Sequence, residues 1–157
     1  MRKKIILAAL VAAATIPSGA RAQAPAPTRF GAQLSFGNDI DFGLGARARV
    51  PIYQFLPGFA LEGAFDYFFP GNGLTYWELN ANADYTILLR NASAEPYLGG
   101  GINLAHASAN SASDTNVGLN VLLGTRFGRS RRFNPFIEAR EELRSGGKLV
   151  LTAGILF

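Results

Sequence analysis

His106 and Ser108 stand two apart in the stretch HASAN. A serine hydroxyl beside an imidazole is the minimum for attack on an ester, with a third group orienting the ring. No acid in the following strand shares the phase of His106, and Asp114 is only a loop candidate. The bland reading of the pair is a polar rim at a loop edge. Glu78 and Asp84 form the next pair to weigh for acid–base work. Six positions apart along one strand puts them roughly 20 Å from each other, too far to serve one reacting bond. Gly99-Gly100-Gly101 has no following lysine or helix, so it does not read as a phosphate loop. There is no cysteine, and His106 is the only histidine. Thiol nucleophiles, cysteine metal sites and histidine-cluster metal sites are excluded. Neither a metal nor a cofactor is expected.

The segments that would position these residues start after an address label. MRKK gives a positive stretch, IILAALVAAATI an apolar one, and Ala20-Arg21-Ala22 a small-x-small cleavage pattern. Residues 1–22 are expected to be a cleaved export signal, and the apolar run is short for a spanning helix. Residues 23–28 read as a short leader and 29–157 as the domain. Four of the fifteen basic side chains (Arg2, Lys3, Lys4, Arg21) belong to the signal, leaving eleven against eleven acids. A neutral mature chain gives no case for nucleic-acid binding.

Beyond the leader the apolar period is two almost throughout. Eight runs emerge, at 29–36, 40–50, 59–67, 75–87, 96–107, 115–127, 135–144 and 147–157. Turn-forming clusters separate them, among them PGNG at 70–73 and SANSASD at 108–114. Strands of about ten residues suit a tilted bilayer crossing. An even antiparallel set suits an eight-stranded up-and-down transmembrane β-barrel of all-β class. The last run, closing in LTAGILF, is expected to pair with the first and leave no open edge, which would let it finish on an aromatic.

One phase of these strands is apolar. The other carries Asp41, Arg47, Arg49, Glu62, Asp66, Glu78, Asp84, Arg126, Glu138 and Arg140, continues with Glu142, Arg144 and Lys148, and is rich in glycine. Charges and glycines together fit the inside of a narrow barrel, where large side chains need small neighbours. The charges are expected to form a salt-bridged plug, the alternative being a narrow ion path. The apolar phase, with Ile40 at the start of the second run, then meets lipid. Aromatic girdles are expected at both rims: Phe36, Tyr67 and Trp77 at the outer one, Phe59, Tyr85, Phe127 and Phe157 at the periplasmic one.

The stretches FDYFFPGNGLTYWELNANADYTI (65–87), PYLGGGINLA (96–105), NVGLNVLLGTRFG (116–128), PFIEAR (135–140) and LTAGILF (151–157) resemble the outer membrane protein β-barrel domain family, the small eight-stranded OmpA- and OmpX-type barrels. The resemblance implies a bacterial outer-membrane location and no shared enzyme activity. It implies outer-membrane lipids, the barrel assembly machinery and periplasmic chaperones as partners. Gly154 and Phe157 would belong to the assembly signal. Separately, His106-x-Ser108 resembles the pair used by outer-membrane lipid A deacylases, though the residues around it differ. That leaves three readings: a non-enzymatic structural or surface-interaction barrel, a lipid hydrolase, and a soluble periplasmic barrel with an apolar ligand. Two features depart from the pattern. Glu141 falls on the lipid phase, where strand seven would bulge, end or clear the hydrocarbon. The turn 51–58 is as long as the outer loops. RSRR (129–132) reads as a solvated turn.

Overall fold

The computed structural model describes residues 27–157 except 39, 72, 90–91, 110–111, 129–131 and 144–146. The export signal and most of the leader lie outside the described residues. Eight strands follow one another: β1 (Arg29–Gly37), β2 (Asp41–Pro51), β3 (Phe59–Phe68), β4 (Leu74–Thr86), β5 (Ala94–Ala109), β6 (Ala112–Phe127), β7 (Asn134–Leu143) and β8 (Lys148–Leu156). Each pairs antiparallel with the next, and β1 pairs with β8 to close the barrel. The seam runs from Gly37↔Val150 to Gly31↔Leu156 and ends where Phe157 N donates to Phe30 O at 2.8 Å. Closure satisfies the backbone of both terminal strands within the sheet, the condition for a sheet to cross lipid.

The expected strand limits hold to within two residues except at β6, which starts three residues earlier than its pattern. The segment read as the loop 108–114 is mostly ladder, paired up to Ala109↔Ala112. Serine and alanine side chains are small enough to sit in a ladder, and pairing to β5 overrides their weak strand preference.

Alternation decides what each face meets. Leu34, Leu44, Leu61, Leu79, Ile102, Leu119, Leu123, Ile137 and Leu151 lie exposed on the outer surface, whereas Arg47, Glu62, Glu78, Glu138 and Arg140 are buried inside. One stretch breaks the phase. Asp41 has a left-handed backbone (φ 56), a region an L-residue seldom occupies outside turns. Its side chain is exposed, and Ile40 is buried at the mouth of the lumen instead. The sequence reading placed Asp41 inside and Ile40 on the lipid face; the left-handed turn exchanges them. Strand seven neither bulges nor stops at Glu141: its pairing with β6 and β8 is continuous through Val121↔Glu141↔Leu149. Glu141 is half-buried, two residues below the strand's upper end.

The last residues of β1, β3, β5 and β7 lie at one end, the upper, and those of β2, β4 and β6 at the other, the lower, where the turn 52–58 also lies. The long lower turn is itself ordered. Phe55 and Leu56 N–H groups both donate to Ile52 O at 2.9 Å. Gly58 takes φ +84 there, directly under the Tyr85 ring, a position that requires glycine.

Candidate functional site

The lumen holds three stacked ionic clusters. In the lowest, Asp84 accepts from Arg49 (Nε to Oδ2 and Nη2 to Oδ1, both 3.1 Å) and from Arg126 Nη2 at 2.8 Å. Arg126 also lies 3.8 Å above the Tyr97 ring. In the middle, Arg47 grips Glu138 with two parallel bonds of 2.9 and 2.8 Å, reaches Glu62 at 2.9 Å and donates from Nε to Gln33 at 2.7 Å. Such forked arginine–carboxylate bonds are the strongest ion-pair geometry. Above them, Arg140 donates to Glu78 at 2.8 Å and lies 3.4 Å from Glu142 and 3.9 Å from Asp66. Lys148 donates to Glu78 at 2.6 Å and to the Tyr76 hydroxyl.

Nine of the ten sequence-picked charges are thus brought together, and Asp41 is left outside. Glu78 and Asp84 do sit in separate clusters. Their partners come from across the ring: Arg49 is on β2 and Arg140 on β7, neither adjacent to β4. The uncharged members carry no charge signal, but they share the inward phase. Gln33 and Ser35 both donate to Asp66 Oδ1 at 2.8 Å, and the Tyr97 hydroxyl donates to Glu138 at 2.9 Å.

Glycine makes the room. Gly124 is paired with Tyr97, and a Cβ there would come 2.4 Å from its ring. Gly154 is paired with Phe136, and a Cβ there would come 2.5 Å from that ring. The visible task of Gly154 is therefore to admit a large lumen side chain. At mid-height the wall of β4, β5 and β6 differs. It carries Asn80, Asn82, Asn103 and Asn120, with Asn120 donating to both Asn80 and Asn82 at 2.9 Å. Neither amide atom of Asn103 has a protein partner. An apolar layer of Ile40, Phe68, Tyr76, Ala105 and Val150 closes the upper end, whereas Tyr97 and Phe136 lie among the lower charges, their rings against Arg126 and Arg47.

On the outer face the picked aromatics form two groups. Tyr67 is paired with Trp77 and Phe36 with Phe42 at the upper end, while Phe59 meets Tyr85 at 5.0 Å below, where Phe127 and Phe157 also stand. The sequence reading missed Phe69, which packs 5.2 Å from Tyr67 just past the end of β3. His106 stacks on Trp77 at 5.1 Å, and its Nδ1 is 2.8 Å from Thr115 Oγ1. Ser108 is paired with Ser113. Among the described residues, no hydrogen bond joins His106 to Ser108 or to a carboxylate. Asp114 lies on the opposite phase and accepts from Asn116 at 2.5 Å.

No family model and no curated protein matches the sequence. Solved structures do match in shape. The N-terminal β-barrel domain of Pseudomonas aeruginosa OprF is similar with a TM-score of 0.69 at 12% identity, over 83% of this chain and 95% of that one. Neisserial surface protein A (NspA) is similar with a TM-score of 0.64 at 15% identity, over 82% and 94%. A transmembrane β-barrel designed de novo is similar with a TM-score of 0.58 at 15% identity, over 86% and 97%. A designed chain shares no ancestry with this one, so its likeness reflects strand number, closure and phase. The chain has the fold of the small eight-stranded transmembrane β-barrels found in bacterial outer membranes.

Proposed function

We propose that this is a bacterial outer-membrane protein with a non-enzymatic, structural or surface-interaction role, its lumen filled by its own side chains. The observation that carries the reading is the inverted distribution of polarity. Five bases and six acids are buried in paired clusters inside the barrel, while a continuous ring of large apolar side chains faces outward. In water such a ring would be an aggregation surface; in a bilayer it is the required one. The same ring argues against a soluble periplasmic carrier. Paired charges and the apolar layer at the upper end argue against an ion path.

Recognition of β8, with Gly154 and Phe157, by the barrel assembly machinery and carriage by periplasmic chaperones belong to this proposal. Nothing in the His106 geometry favours the hydrolase reading, since its Nδ1 faces a threonine rather than an acid. The protein is expected in the outer-membrane fraction, with a heat-dependent shift in gel mobility and negligible conductance in planar bilayers. Recovery in the soluble periplasmic fraction, or steady conductance, overturns the reading. Lipid A deacylation that is lost in Ser108→Ala revives the hydrolase.

A further inference from the structure

On the outward phase of the eight strands Glu141 is the only charged side chain; Asp41, exposed by its left-handed turn, stands at the very start of β2. Glu141 is half-buried, and among the described residues it makes no hydrogen bond and no ion pair. Its ladder neighbours are Val121 and Leu149. A Cβ on Gly147 would come 3.0 Å from its Oε1, so the carboxylate reaches up beside the start of β8. An ionised carboxylate on a lipid-facing surface is costly without a cation to meet it.

One outward position below Glu141 the barrel surface is hollow. Two ladder rows run large, small, large: Leu123, Ala139 and Leu151 in one, Ile137, Ala153 and Leu34 in the next. The two alanines are diagonal neighbours across β7 and β8, and the four larger side chains stand about half exposed around them. The result is a groove of about 600 Å³, within the range of ligand-sized clefts. The first row continues to Phe36 of the upper girdle, and Glu141 belongs to the row above it. The groove therefore begins at the level where lipid head groups begin and descends into the apolar belt.

We propose that the β7–β8 groove holds one membrane phospholipid with a primary-ammonium head group, an acyl chain lying against Ala139 and Ala153 and the ammonium on Glu141. The inference rests on the outer-membrane reading above, which already sets acyl chains against this face. An ammonium group with N–H donors both neutralises the carboxylate and hydrogen-bonds to it. A choline head group carries the same charge but has no N–H to donate. A divalent cation takes several oxygen ligands, and the outward phase of the strands offers the Glu141 carboxylate alone. A second copy of the chain would bring another Glu141, and the outward phase of its strands has no base to set against the first.

The test places the full protein in nanodiscs of equal phosphatidylethanolamine and phosphatidylcholine with identical acyl chains, and reads the released barrel by native mass spectrometry. One retained phosphatidylethanolamine per barrel is expected, favoured about tenfold over phosphatidylcholine, the worth of one charge-assisted contact. Glu141→Gln is expected to abolish that preference while lipid is still retained. Ala139→Leu fills the groove and is expected to lower the retention of both lipids. Equal retention of the two lipids by the unaltered barrel, or a preference that survives Glu141→Gln, overturns the ammonium contact. No retained lipid, a dimer that excludes lipid, or retention undiminished in an Ala139→Leu barrel that keeps its heat-dependent gel shift overturns the groove. Each of these failures leaves the membrane assignment standing, because fractionation and the gel shift read that separately.

Discussion

At mid-height the lumen has two unlike walls. On one side Arg47, Glu138 and Arg140 each hold two or more partners, at least one of them across the ring. On the other, along β4 to β6, four asparagines share two bonds and leave Asn103 with none. Both walls are buried and polar, yet they answer different demands. A buried charge is intolerable without an opposite one, so every member of the ionic wall has a charged partner even where single atoms, such as Arg140 Nε, make no hydrogen bond. A buried amide is merely underused without one, and internal water can serve it. Specification of the barrel interior therefore rests with the ionic wall, and the amide wall supplies polar filling.

The comparison is sharpest where one ionic residue is removed. Arg140→Ala removes the base that Asp66, Glu78 and Glu142 share, and urea unfolding in lipid vesicles is expected to show a loss of about 3–5 kcal/mol. A loss under about 1 kcal/mol would erase the difference between the walls. Next comes crowding: Gly124→Val drives two methyls into the Tyr97 ring that covers Glu138 and Arg126, at an expected cost of about 1–3 kcal/mol in the same assay. On the amide wall Asn103→Ala breaks no protein hydrogen bond, and its expected effect is within about 1 kcal/mol of zero. A cost equal to that of Arg140→Ala would mean that the amides too form an obligatory network. Smallest in stability, but decisive for orientation, are spin labels at Leu79 and Asn80. The first is expected to be quenched by lipid-soluble oxygen and the second to be shielded from it. The reverse pattern would turn the barrel inside out.

The strands and their inward phase were legible because a period of two carries both at once, and eight such runs leave few topologies open. Legibility failed where the backbone left that period. Asp41 and Ile40 exchanged faces through one left-handed residue, a conformation that neither side chain announces. SANSASD read as loop from composition, yet its ladder continues because β5 lay beside it. The pairing of Glu78 with Arg140 was hidden for a different reason. Alternation says which residues point inward, whereas partnership across the ring depends on closure and tilt. Gln33, Ser35 and Tyr97 were missed because only charge had been used to pick lumen residues. The aromatic rims were visible from types alone, apart from Phe69, which sits beyond the end of its run.

The β1–β8 seam has a kinetic meaning. It joins Gly31 to Leu156, so its contacts are the most distant along the chain and the costliest to bring together. A barrel lacking only this seam would hold two raw strand edges in hydrocarbon, so a half-zipped ring is a poor resting state. Completion and rupture should each be a single slow event, and the lifetime of the inserted protein would then be set by how seldom that one seam parts.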